Sequence, residues 1–217
     1  MGSTALQIVT QAYRHHNLNE VTSFSTTQEF PYKLGLDIIN NVIRTMNRLG
    51  NYWFCETKTA LTYAPSTSTY NYTSLAIDPR RVIRIRKEAT NYWGDLVEIN
   101  WKDFNKLYRS SSITSAQPTR FAKFADNFYL DAAPDQDYSM YVYHYKDMPL
   151  IVNTTDTFLI PERDEDVLID GVYQLLGAEM GRWDLGTAVQ AMNLKIQPLL
   201  AEQKKDTSIP VQMPAAF

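Results

Sequence analysis

The apolar period changes twice along this chain, and that pair of changes constrains the fold more than any other feature. Up to Trp53 apolar residues recur about every 3.6 positions, from there to Pro161 about every 2, and beyond Pro161 the helical spacing returns. Leu34, Ile38, Val42, Met46 and Leu49 form one stripe, and Leu36, Ile39 and Ile43 a second. Together they predict a helix covered on two sides and closed by Gly50-Asn51. Thr4 and Gln7 form a capping box ahead of Leu6, Val9 and Tyr13, which predicts a short first helix; Thr26 and Glu29 offer a second box. Between the helical ends, short alternating runs punctuated by Pro, Asp-Asn and Ser/Thr turns predict several strands, with one or two helical turns over 101–108. The clearest strand sets Tyr141, Tyr143 and Tyr145 on one side and Met140, Val142 and His144 on the other. After Pro161, Leu168, Val172, Leu175, Leu176, Met180 and Trp183 make one apolar face. Val189, Met192, Ile196 and Leu199 make a last one, kinked or ended near Pro198.

That order predicts an α+β fold. N- and C-terminal helices form a small bundle, an antiparallel β-sandwich or barrel-like module is inserted between them, and an extended C-terminal arm follows. The expected divisions are 1–54 for the N-terminal helices, 55–158 for the β-rich insert, 159–203 for the C-terminal helices and 204–217 for the arm.

A chain of 217 residues buries roughly 70% of its unfolded surface, so a core is feasible without staples. With 44% apolar and 21% charged residues, wholly disordered and collagen-like readings are excluded. The single cysteine, Cys55, excludes an intramolecular disulfide and a cysteine zinc cluster, and reads as a buried thiol. A net charge of −3 gives no global pull toward nucleic acid or an anionic membrane. No stretch approaches the ~20 apolar residues that cross a bilayer. The first residues carry neither the charged nor the apolar region of a signal peptide, so no membrane partner is expected.

The residues that carry chemistry elsewhere point to structure in this chain. His15 and His16 are adjacent, hence about 100° apart on a helix, and cannot readily face one metal. His144 alternates with apolar neighbours and reads as a half-buried sheet histidine. Glu162–Asp166 lacks the calcium-loop pattern, contains Arg163, and reads as a helix start matched to the helix dipole. Gly177 and Gly181 have the small-xxx-small spacing of close helix packing. No nucleophile elbow, phosphate loop or dinucleotide fingerprint occurs. No catalytic residue, metal site or cofactor is therefore expected.

Two features concern partners. Arg80, Arg81, Arg84, Arg86 and Lys87 cluster around Val82, Ile83 and Ile85. They read either as an edge strand guarded by charge or as a contact to an acidic neighbouring subunit, with Arg84 and Arg86 as the inter-subunit residues. The arm carries Ile209, Val211, Met213 and Phe217, an alternation suited to an extended segment that adds to another protein.

The layout from about Glu29 to Gln203 resembles the head-to-tail adaptor, or connector, proteins of tailed bacteriophages. The resemblance rests on the asparagine-bearing helix over 34–49 and on Ile77-Asp-Pro79-Arg-Arg-Val82-Ile83-Arg84-Ile85. It rests also on Pro118-Thr-Arg-Phe121-Ala-Lys-Phe124, Phe128-Tyr-Leu130-Asp-Ala-Ala-Pro134, Tyr138-Ser-Met140-Tyr-Val142-Tyr, and Thr157-Phe-Leu159-Ile-Pro161 leading into Val167-Leu168-Ile169-Asp-Gly171. It implies a structural virion protein at the head–tail junction, assembled in the host cytoplasm, with no catalytic site and no cofactor. Its implied partners are the portal protein, a tail nozzle or tail tube protein, and further copies of itself in a dodecameric ring. Genomic DNA would pass through the ring centre without sequence-specific binding. The arm would be the portal-binding segment. The reading from another class is a β-rich ligand- or carbohydrate-binding module of a phage tail or baseplate, using exposed tyrosines.

Overall fold

The computed structural model describes residues 2–24, 30–62, 64, 66–89, 92–108 and 114–206. The Thr26–Glu29 capping box, Tyr63 and the arm residues Ile209, Val211, Met213 and Phe217 lie outside the described residues. The chain is α+β and divides into two compact units: Met1–Cys55 with Asp147–Phe217, and Glu56–Lys146.

The first unit is helical: α1 (Ala5–His15), α2 (Gly35–Leu49), α4 (Asp166–Glu179) and α5 (Leu185–Asp206). The capping box forms as the sequence predicts, with the Gln7 N–H donating to the Thr4 hydroxyl at 3.3 Å and the Thr4 N–H to the Gln7 side chain at 2.7 Å. Helix α4 touches α1, α2 and α5. A helix covered on several sides needs apolar residues all round, which Val167, Leu168, Val172, Leu175 and Leu176 supply, all buried. They meet Ile8, Val9 and Tyr13 of α1, Ile39, Val42, Ile43 and Met46 of α2, and Ala188, Met192 and Ile196 of α5 in one core.

Segment 147–160 has no helical period, yet Met148, Ile151 and Ile160 belong to this core. Two asparagines of α2 hold it. Asn40 donates to the Ile151 carbonyl at 3.0 Å and accepts the Ile151 N–H at 2.8 Å; Asn47 does the same for Met148 at 3.1 and 3.0 Å. Seven residues apart, the two amides lie on one face of α2 and grip the extended backbone at two points.

Three local expectations are corrected. Gly50 ends α2 with extended backbone (φ 176°) rather than a left-handed cap; its lack of a side chain makes room for Leu200, whose Cδ2 would lie 2.5 Å from an added Cβ. Gly181 takes no part in close packing. It is a left-handed turn residue (φ +71°) after α4, with open space where a Cβ would go, whereas Gly177 packs under the Trp183 indole. Helix α5 continues through Pro198 to Asp206. The carbonyl that Pro198 leaves unbonded belongs to Leu194, which is 74% exposed and open to water.

The second unit holds β1 (Glu56–Ala60), β2 (Thr69–Asn71), β3 (Val82–Ala89), β4 (Tyr92–Asp95), β5 (Val97–Glu98), α3 (Trp101–Tyr108), β6 (Arg120–Phe124), β7 (Asn127–Leu130) and β8 (Met140–Tyr145). One sheet runs β1-β8-β3-β4, all antiparallel; the other runs β2-β7-β6-β5, with β5 and β6 parallel. Their inner faces share Ile85, Met140 and Val142 from the first sheet and Phe121, Phe128 and Leu130 from the second. The sheets remain open and form no barrel, in keeping with flanking strands as short as β2 and β5. Helix α3 covers the second sheet's other face, where Trp101 stacks on Phe124 at 4.5 Å and tilts against Tyr129 at 4.8 Å.

Candidate assembly surface

Strict alternation along β3 would put Arg84 on the same side as Val82. A bulge between Val82 and Arg84 prevents this: Val82 pairs with His144, but Arg84 pairs with Tyr143 and Arg86 with Tyr141. Arg84 and Arg86 thereby join the outer face, beside Tyr141, Tyr143 and Tyr145 of β8 and Glu56, Lys58 and Ala60 of β1. Ile85 turns inward, fully buried.

Charges on this face are matched within the chain. The Asp95 carboxylate lies 3.9 Å from the Arg84 guanidinium and 3.7 Å from that of Arg86. Arg84 also sits over the Tyr143 ring at 4.6 Å, and Lys58 over Tyr141 at 4.4 Å. Glu88 accepts from Lys58 at 2.8 Å and from the Tyr143 hydroxyl. The Lys58 hydrogen bond, then that of Tyr143, holds the Glu88 carboxyl below its ordinary range. The same bonds to Glu88 raise the Lys58 ammonium and the Tyr143 phenol. The result is a rigid band of Tyr and Arg side chains, the residue types enriched where proteins bury one another's surfaces.

The rest of the basic cluster is committed elsewhere. Arg80 pairs with Asp78 at 2.9 Å, and the Arg80 hydrogen bond draws the Asp78 carboxyl down. Lys87 points to the inner face, 8% exposed, and donates to the Pro118 carbonyl at 2.9 Å; burial lowers its pKa. The five basic residues thus do not form one cationic patch.

The histidines are packing groups. His144, 5% exposed, shares a 2.9 Å hydrogen bond with the Thr59 hydroxyl, and burial lowers its pKa. His16 ends α1, stacks on Tyr173 at 4.2 Å and bonds the Tyr173 carbonyl through Nε2 at 2.8 Å. Cys55 is a buried free thiol. Before α4, Glu165 is buried and accepts the Ser3 N–H at 2.7 Å. Among the described residues, no group of His, Cys, Asp and Glu is placed to hold a metal ion, and no helix is long and apolar enough to cross a membrane.

Sequence reasoning singled out Arg84 and Arg86 but missed Lys58, Glu88 and Asp95. The only signal for them was charge at alternating positions on strands whose pairing the sequence does not reveal.

A family model described as SU10 adaptor protein matches residues 3–212, nearly the entire chain. The chain belongs to that family. It is a phage adaptor protein, as the resemblance implied, and a structural component of the virion at the head–tail junction. No curated protein matches the adaptor's sequence.

Proposed function

We propose that this adaptor assembles into a closed ring that joins the portal to the tail nozzle or tube and lets genomic DNA pass through its centre. The family match across residues 3–212 carries the reading. Two features of the chain support it. The Tyr–Arg band on the outer face of β1-β8-β3-β4 has the composition of a subunit contact, with Arg84 and Arg86 at its middle. Duplex DNA meets little cationic grip, since the net charge is −3 and the Arg80–Lys87 cluster is matched or buried within the chain. Tight phosphate contacts would brake a passing genome.

The carbohydrate-binding alternative needs tyrosine faces free for stacking, but Lys58 and Arg84 already occupy those of Tyr141 and Tyr143.

Native mass spectrometry of the chain, alone and mixed with portal, tests the proposal. A closed homo-oligomer that joins the portal is expected, and a chain that stays monomeric with portal present overturns it. Arg84→Glu with Arg86→Glu weakens assembly while leaving the far-ultraviolet circular dichroism unchanged. Each exposed pair is worth at most ~1 kcal/mol, but a ring repeats it in every subunit. Undiminished assembly would return these arginines to a purely local role.

A further inference from the structure

Strand β1 is an end strand, hydrogen-bonded on one side only, to β8. Its bonding phase follows from one contact outside the ladder: the Leu61 N–H donates to the Met140 carbonyl at 2.8 Å. With Ala60 opposite Tyr141, positions 57, 59 and 61 face β8, and the backbone groups of Glu56, Lys58 and Ala60 point to the open side. All three residues are exposed. The other sheet ends offer less. The same reasoning leaves Trp93 and Asp95 outward on β4, Thr69 and Asn71 on β2 (where the Asn71 carbonyl already accepts from Ser74) and Glu98 alone on β5. Among the described residues, β1 therefore has the longest run of outward backbone groups.

A bare edge of this kind accepts another strand unless something prevents it. Pairing of β1 with β1 of a second copy, centred on Lys58, would set two ammonium groups opposite each other, so a different sequence is required. Segment 207–217 fits. In an extended chain alternate residues present their N–H and C=O to one side, and Pro210 and Pro214 have no N–H to give. The prolines fall on even positions. Ile209, Val211 and Met213 fall on odd ones, so a single edge keeps every donor and carries the apolar side chains on one face.

We propose that, in the absence of portal, the arm adds to β1 as an antiparallel fifth strand, with Val211 opposite Lys58, Ile209 opposite Ala60 and Met213 opposite Glu56. The donor spacing of the arm equals that of the edge, and its prolines face solvent. Directly opposed residues share a face, so Ile209, Val211 and Met213 lie beside Ala60, the Lys58 stem and the Tyr141–Tyr145 row. The arm that the adaptor reading assigns to the portal thus has a resting place on the adaptor itself.

Hydrogen exchange of the full-length protein without portal tests this, read at the Lys58 amide by mass spectrometry with electron-transfer fragmentation. Val211→Pro removes the central donor of the arm; Gln212→Pro adds a proline on the side that donates nothing. The Lys58 amide exchanges at least about tenfold faster in Val211→Pro than in the unaltered chain or in Gln212→Pro. Excess synthetic peptide of sequence 207–217 restores protection to the Val211→Pro protein. Equal exchange in all three proteins overturns the proposal, as does equal loss of protection in both proline variants. Either result leaves the adaptor reading standing, because ring assembly with portal is measured separately.

Discussion

His16 shows how one residue couples packing to pH. Its ring is 1% exposed, and its Nδ1 atom has no hydrogen-bond partner among the described residues. Burial holds its pKa below the ordinary 6.5, and the charge of Arg182, which donates to the His16 carbonyl at 3.1 Å, pushes the same way. Burial lowers His144 as well. Both therefore bind fewer protons folded than unfolded in the window below pH 6.5, so stability rises as pH climbs to that value and falls as pH drops beneath it. The lowered carboxylates Asp78, Glu88, Asp156 and Asp184 start from 3.8 to 4.5 and act in a more acidic window, where their stabilising contribution is lost as pH falls. The urea midpoint should therefore drop between about pH 7.5 and about pH 5, before those carboxylates titrate. His16→Phe keeps the stack on Tyr173 and removes the proton site, so it flattens the dependence. An unchanged midpoint across that range would show that neither histidine is held neutral.

At the scale of elements, what the sequence reveals divides along a physical line. Period reports which face of an element is buried, so the helices and the inward side of Met140–Tyr145 were legible; it does not report what lies opposite. The two stripes of α2 were visible, but the role of Asn40 and Asn47 was not, because their partner is the backbone of 147–152, a segment with no period of its own. The face of Arg84 was hidden too, since a single bulged residue reverses every side chain that follows. Gly177 and Gly181 look equivalent as a spacing, yet one lies under an indole and the other makes a turn. Asn40→Ala would leave the Ile151 N–H and C=O buried without their partner and should cost about 1–3 kcal/mol in chemical denaturation. Asn47→Ala, at a half-buried position, should cost less. Gly177→Ala must displace Trp183, whose ring atoms would lie as close as 2.0 Å to the new Cβ. The indole N–H bond to the Gln174 carbonyl at 2.8 Å is then strained, and a loss of about 1–3 kcal/mol is expected. Wild-type stability in both Asn40→Ala and Gly177→Ala would mean that neither contact is made in solution.

For the molecule as a whole, fold and assembly separate at the end of α5. The helical core closes with Ile196 and Leu199, both buried, and nothing C-terminal to Leu200 contributes to it. Residues 206–217 add Ile209, Val211, Met213 and Phe217 as their large apolar side chains. Four such groups cannot offset roughly 1–2 kcal/mol of backbone entropy for each residue ordered, unless a partner supplies pockets and a hydrogen-bonding edge. Deleting the chain after Lys205 should therefore leave the thermal unfolding midpoint nearly unchanged while reducing co-sedimentation with portal. The two measurements respond to different parts of the chain. A large fall in the midpoint would make the arm part of the folded core, and undiminished portal binding would make it a passive tail. Only an unchanged midpoint with weakened binding assigns the arm to assembly.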